Sequence, residues 1–229
     1  FHQPGEKAQF DDEMIVRALG PIGHNKAVAA IKFPRGKHGL LSLKRLLVEP
    51  NGFFRARAVG VAQIDVCIAR RQFVERMGAV PAIQLAHAGR KASCAVPWVG
   101  GARLKSAEEG DWQTVAPSPV PFADGDPPPQ ALDEQGIHEI IAAFTRATHR
   151  SVRAGFKVIE VHAAHGYLLH EFLSPLSNHR TDRYGGSLAN RLRLVLEVSA
   201  AVRDATPLTL PVFVRISATD WVDGGWDLE

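Results

Sequence analysis

Two histidines and a tyrosine, His162, His165 and Tyr167, lie close together in the run Glu160-Val161-His162-Ala163-Ala164-His165-Gly166-Tyr167. Imidazole N–H groups can donate to an oxygen on which charge develops, as when a carbonyl becomes an enolate. A tyrosine hydroxyl beside them can supply or remove a proton. The same two imidazoles could instead ligate zinc, iron or copper. A catalytic zinc takes a third protein ligand, and the next acid downstream is Glu171, beyond Gly166 and Tyr167. A clamp on a substrate carbonyl is therefore the preferred reading, with a metal-dependent barrel hydrolase as one alternative.

Two more polar side chains end apolar runs. Gln84 follows Ala79-Val80-Pro81-Ala82-Ile83, and Arg215 follows Pro211-Val212-Phe213-Val214. A glutamine amide both donates and accepts, which suits the uracil-like edge of a flavin. A permanent guanidinium suits the negative charge that builds at the N1/O2 edge of a flavin on reduction. Each residue also has a plain role open to it: Gln84 in bonding a loop, Arg215 in pairing with Asp220 or Asp223. The sequence contains neither G-x-G-x-x-G nor a P-loop, so any nucleotide phosphate is held by other means.

The elements that must position these groups follow from hydrophobic period. Residues 79–85, 156–161 and 211–216 are short apolar runs that suit buried strands. Between the first two, Ile137, Ile140, Ile141, Phe144, Ala147 and Val152 form a stripe of helical period, with Asp133 as N-cap and Gly155 as stop. Between the last two, Ser187 caps a helix running to about Asp204, with Leu192, Val195, Leu196 and Val202 facing inward. Residues 97–130 and 162–186 read as polar loops. Strands separated by helices need crossovers and so run parallel. Every candidate group then falls at the C-terminal end of a strand, where parallel α/β barrels carry their chemistry.

Composition narrows the classes. In 229 residues, 45% are hydrophobic and 22% charged, which excludes a wholly disordered chain. No stretch of apolar residues is long enough to predict a membrane-spanning helix. The cysteines Cys67 and Cys94 are too few for a disulfide framework and lack zinc-ribbon spacing, which predicts a reducing, cytoplasmic setting. The start, Phe1-His2-Gln3-Pro4, has neither Met nor a signal-peptide core, so a lost N-terminus is expected. Residues 1–72 carry a balance of +6 and residues 73–229 a balance of −3. The basic residues of the first part are scattered and form no stripe, so no nucleic-acid surface is expected. No strand–helix pattern emerges in 1–72, which stays unassigned.

From about residue 73 onward the chain resembles the Old Yellow Enzyme family of FMN-dependent oxidoreductases, most closely its thermophilic-like ene-reductase and xenobiotic reductase branch. The resemblance rests on Ile83-Gln84-Leu85-Ala86-His87-Ala88-Gly89-Arg90-Lys91, on Glu160 through Pro175, on Asn178-His179-Arg180-Thr181-Asp182-Arg183-Tyr184-Gly185-Gly186-Ser187 with Asn190-Arg191, and on Phe213-Val214-Arg215. It implies an α/β fold, a partial (β/α)8 TIM barrel whose recognisable strands are the third to fifth. It implies FMN as cofactor, NADPH or NADH as reductant, and hydride transfer to the activated C=C bond of a small α,β-unsaturated carbonyl. By position, Gln84 and Arg215 resemble the flavin-binding residues, His162 and His165 the pair that binds the carbonyl oxygen, and Tyr167 the proton donor. No bound metal, nucleic-acid partner or membrane partner is implied; a homo-oligomer is compatible. The family's entry strands are not recognisable in 1–72, which suggests a frameshifted or fused segment and an incomplete copy. A remnant that binds without catalysing is the remaining alternative.

Overall fold

The computed structural model describes residues 14–19, 30–31, 62–95, 100–104 and 111–228. Strands β1 (Met14–Leu19) and β2 (Ala30–Ile31) come first, then helix α1 (Ala62–Arg76), strand β3 (Val80–Leu85) and a single 3₁₀ turn at Gly89–Lys91. Short strands β4 (Val115–Ala116) and β5 (Gln130–Ala131) precede helix α2 (Glu134–Arg153) and strand β6 (Val158–Ala163). Helices α3 (Leu168–Leu173) and α4 (Leu188–Asp204) lead to strand β7 (Val212–Ile216).

The main sheet has the order β2-β1-β3-β6-β7. β3, β6 and β7 are parallel, with Gln84 opposite Glu160 and His162 opposite Arg215. This is the expected α/β pattern with helical crossovers. β1 runs antiparallel to β3, Met14 opposite Leu85, so the barrel-like parallel order lies in β3, β6 and β7. Helix α1 crosses position 73, where the sequence pattern first becomes readable.

The helix ends are built as their residue types dictate. Asp133 accepts from the Gly136 N–H at 2.7 Å, and Ser187 from the Asn190 N–H at 3.4 Å. α2 closes with Gly155 at φ +87°; Gly155 N–H reaches Val152 O at 2.9 Å and Phe156 N–H reaches Ser151 O at 3.2 Å. This Schellman arrangement needs a left-handed residue, which glycine adopts without Cβ strain. Gly78 closes α1 the same way, with Ala79 N–H bonded to Val74 O.

One face of the sheet packs under the helices. Ile83, Ile159, Val161 and Ala163 are fully buried with Ile137 and Ile140 of α2 and Leu194, Val198 and Val202 of α4. Leu196, expected inward, is 61% exposed. It follows Val195 on the helix and turns toward solvent, because the stripe formed by Leu194, Val198 and Val202 already occupies the contact face.

Two loop expectations are corrected. Residues 162–186 are no continuous polar loop: β6 runs on to Ala163, and all six residues of α3 are buried. The polar letters misled because His170 and Glu171 are partnered inside the fold rather than solvated. Within 97–130, β4 and β5 pair in parallel and Cys94 bridges Arg103. Turn-rich composition hides such two-residue strands, which arise from pairing across the chain rather than from local pattern.

Candidate functional site at the strand ends

Side chains alternate across a strand, so residues in register on neighbouring parallel strands share a face. The face turned away from the helices carries Gln84 on β3, Glu160 and His162 on β6, and Phe213 and Arg215 on β7. Gln84 and Glu160 form one rung. His162 and Arg215 form the next, two residues nearer the C-terminal ends. Gln84 is 1% exposed and donates through Nε2 to Glu160 Oε1.

Glu160 is the residue that sequence reasoning passed over. Its signal was available: it stands two positions before His162, hence on the same face of the strand. A carboxylate only accepts, so it turns the Gln84 amide nitrogen toward itself.

His162 is 2% exposed and lies at the centre of a ring cluster. The His165 ring centroid is 5.0 Å away at 48°, and the Tyr167 centroid is 5.0 Å away at 89°, edge to face. The three residues named from the sequence are thus brought together. Gln84 and Arg215 join them through the shared face of the sheet. Among the described residues no group of three His, Cys, Asp or Glu side chains is arranged to hold a metal ion.

The turn that carries His165 and Tyr167 is tied down from several sides. His165 has φ +60°, unusual for a residue with a Cβ. Its N–H donates to Ser217 Oγ, just past β7, at 3.0 Å, and its carbonyl accepts from Lys91 Nζ at 2.7 Å. The Gly166 N–H donates to His170 Nδ1 at 2.7 Å. Burial lowers the Lys91 ammonium pKa, partly offset by Glu171. Asp220, considered as a partner for Arg215, is engaged instead by His170, Ser174 and Trp226.

A buried acid lies behind this turn. Burial pushes Glu171 up from 4.5 to about 8, against the lowering influence of Arg90 and Lys91. Its Oε1 accepts from the Arg90 N–H at 3.0 Å. A Cβ on Gly89, which has φ +59°, would run into this carboxyl group, so the close approach requires glycine and the left-handed backbone favours it. The neighbouring His87 accepts at Nδ1 from the Gly89 N–H at 3.0 Å, and burial lowers it from 6.5 to about 4.

The sequence profile of the NADH:flavin oxidoreductase / NADH oxidase family matches residues 62–228. The chain belongs to that family. An NADH:flavin oxidoreductase of Gibberella zeae is 44% identical over 191 residues, covering 81% of this chain and 46% of that protein. An NADPH dehydrogenase of Halalkalibacterium halodurans is 40% identical over 210 residues, covering 90% of this chain and 55% of that protein. The chain therefore spans about half the length of the curated relatives it matches. Among solved structures, morphinone reductase in complex with tetrahydroNAD superposes with a TM-score of 0.61 at 31% identity, covering 76% of this chain and 49% of that one. The Old Yellow Enzyme homologue of Zymomonas mobilis gives 0.60 at 28% identity, covering 76% and 48%.

The polar face fits the flavin that names this oxidoreductase family. With Nε2 held by Glu160, Gln84 Oε1 is a buried acceptor that takes no hydrogen bond among the described residues. An unfilled acceptor on the same sheet face as the cation Arg215, two strands away, matches a ring edge that offers an N–H and gathers negative charge. The long run at 178–187 has a different task. Asn178 donates to Phe172 O and Tyr184 O at 2.8 Å, while Arg180 pairs with Asp182 and reaches Pro117 O at 3.0 Å. These bonds tie the loop after α3 to the segment around β4. Within the described residues no helix is long and apolar enough to cross a membrane.

Proposed function

We propose that this chain carries the central part of an FMN-dependent oxidoreductase. NADPH or NADH is the reductant, and the acceptor is the activated C=C bond of a small α,β-unsaturated carbonyl compound. The barrel part is read as starting with α1. The observation that carries the reading is the His162–His165–Tyr167 ring cluster on the same rim as Gln84 and Arg215. The names of the relatives support it, as does the fit of the unfilled Gln84 acceptor. A cytoplasmic setting and a homo-oligomer are compatible with the reading.

When bound, FMN supplies the hydride for the β-carbon. Gln84 Oε1 and Arg215 would hold the ring edge. His162 and His165 donate N–H bonds to the carbonyl oxygen, whose charge grows as the β-carbon receives hydride. Their contribution is therefore larger in the transition state than in the ground state. Tyr167 gives its hydroxyl proton to the α-carbon and regains one from water. Arg215 balances negative charge at the ring edge.

Flavin titration and stopped-flow kinetics test the reading. Gln84→Leu should weaken FMN binding about tenfold through loss of one hydrogen bond to a buried site. His162→Ala should slow enone reduction about 10²–10³-fold, with a much smaller effect on flavin reduction by nicotinamide. Tyr167→Phe should slow α-carbon protonation with little change in substrate affinity. Equal damage to both half-reactions in His162→Ala would remove the carbonyl clamp. A chain that binds no flavin would favour the non-catalytic reading.

A further inference from the structure

The turn at 164–167 sets where the His165 and Tyr167 side chains go, yet its backbone is strained. His165 and Gly166 both have positive φ, +60° and +70°. A non-glycine residue holds such a conformation only where its surroundings over-determine it. The contact at Gly166 stands out, because its acceptor is a histidine nitrogen that could equally be a donor.

His170 Nδ1 accepts from the Gly166 N–H at 2.7 Å, so Nδ1 must be free of a proton. In a neutral imidazole the proton then sits on Nε2. That atom stands 3.0 Å from Asp220 Oδ1, in an ion-pair contact rather than an aligned hydrogen bond, and the negative carboxylate favours a proton on the nitrogen that faces it. Asp220 is itself fixed, since its Oδ2 accepts from Ser174 Oγ at 2.5 Å and from the Trp226 N–H at 2.8 Å. Both partners are largely buried, with side-chain exposures of 7% for His170 and 12% for Asp220. Burial disfavours a second proton on His170, Asp220 favours one, and the Lys91 ammonium disfavours it.

We propose that Asp220 and His170 form a positioning pair: Asp220 fixes the His170 tautomer, and His170 in turn holds the Gly166 N–H and the strained turn that presents His165 and Tyr167. Neither touches the reacting atoms. The loop after β7 thereby helps set the geometry of groups that belong to β6. The proposal depends on the flavin-oxidoreductase reading only for its kinetic arm.

Asp220→Asn tests it with almost no change of shape. The Trp226 N–H and Ser174 hydroxyl need an acceptor, so the new amide keeps its oxygen toward them. Its NH₂ then faces His170 Nε2, and the imidazole proton moves to Nδ1, where two donors oppose each other at the Gly166 N–H. Imidazole ¹H–¹⁵N correlation spectra should show the Nε2–H tautomer in the unmodified chain and Nδ1–H in the variant. Amide exchange should quicken about tenfold at Gly166, as for loss of one hydrogen bond, and stay unchanged at Ile159 and Val161. In the flavin-loaded protein, enone reduction should slow about 10²-fold, as for a misplaced donor, with FMN affinity unchanged.

His170→Asn is the second variant. Its side-chain oxygen sits near the place of Nδ1 and can accept from Gly166 without Asp220, so slow Gly166 exchange should persist there and be lost in His170→Ala. An Nδ1–H tautomer in the unmodified chain would overturn the proposal. So would unchanged Gly166 exchange in Asp220→Asn, or equal exchange in His170→Asn and His170→Ala. Absence of enone reduction in the unmodified protein would count against the proposed function alone, since the tautomer and exchange results stand without it.

Discussion

β6 and β7 are adjacent, parallel and written in the same apolar alphabet, yet they meet different surroundings. On β6, Ile159, Val161 and Ala163 are fully buried beneath α2 and α4. On β7, Phe213, Val214 and Ile216 are 52%, 42% and 45% exposed, and the strand is the outermost of the described sheet on that side. An apolar run thus specifies a strand without specifying what covers it. Coverage comes from the helices on either side: α4 reaches both strands, but of β7 only Val212 packs against the core. The two strands still share the chemistry, because the rung His162–Arg215 depends on backbone register alone.

The strongest way to break this comparison is a pair of matched truncations. Phe156, just before β6, is 1% exposed, and Phe156→Ala should cost about 3–5 kcal/mol of unfolding free energy. Phe213→Ala, the same deletion on β7, should cost less than about 1 kcal/mol. Urea titration measures both. Equal losses would mean that β7 is as well covered as β6.

A second test sharpens the contrast through pH. Below pH 4.5 both folded and unfolded chains keep the Glu171 proton; between 4.5 and about 8 only the folded chain keeps it. The stability this group contributes is therefore present at low pH and lost as pH rises, by at most about 1.4 kcal/mol per pH unit, until the folded group ionises as well. His87 acts oppositely: lowered from 6.5 to about 4, it costs stability as pH falls through that window. Glu171→Gln should remove the decline toward pH 8 and leave the acid-side loss. An unchanged pH profile would place Glu171 in contact with water.

The smallest expected effect lies on α4, between the two strands. Leu196, 61% exposed, should tolerate replacement by serine within about 0.5 kcal/mol. Leu194, fully buried two residues earlier, should lose about 2–5 kcal/mol on replacement by alanine. A costly Leu196→Ser would restore the inward orientation that the helical stripe suggested.

Much of the frame was legible because its causes are local. Asp133, Ser187 and Gly155 cap helices through bonds made within a few residues, and the apolar stripe of α2 repeats at helical period. α1 was not legible, since Arg70, Arg71, Glu75 and Arg76 interrupt its apolar positions. α3 was missed because His170 and Glu171 read as solvated letters, while their partners Asp220 and the Arg90 N–H stand far off in sequence. Glu160 was missed although strand alternation alone would have set it beside His162.

The sequence by itself determined which chemical groups end the strands and which of them share a face, because side-chain alternation is a property of the extended backbone. Tertiary structure decided the rest: the register that sets Arg215 beside His162, the packing that brings Tyr167 edge-on to the His162 ring, and the burial that keeps a proton on Glu171 near neutral pH. Those outcomes depend on desolvation and on contacts between residues dozens of positions apart, and local pattern carries no information about either.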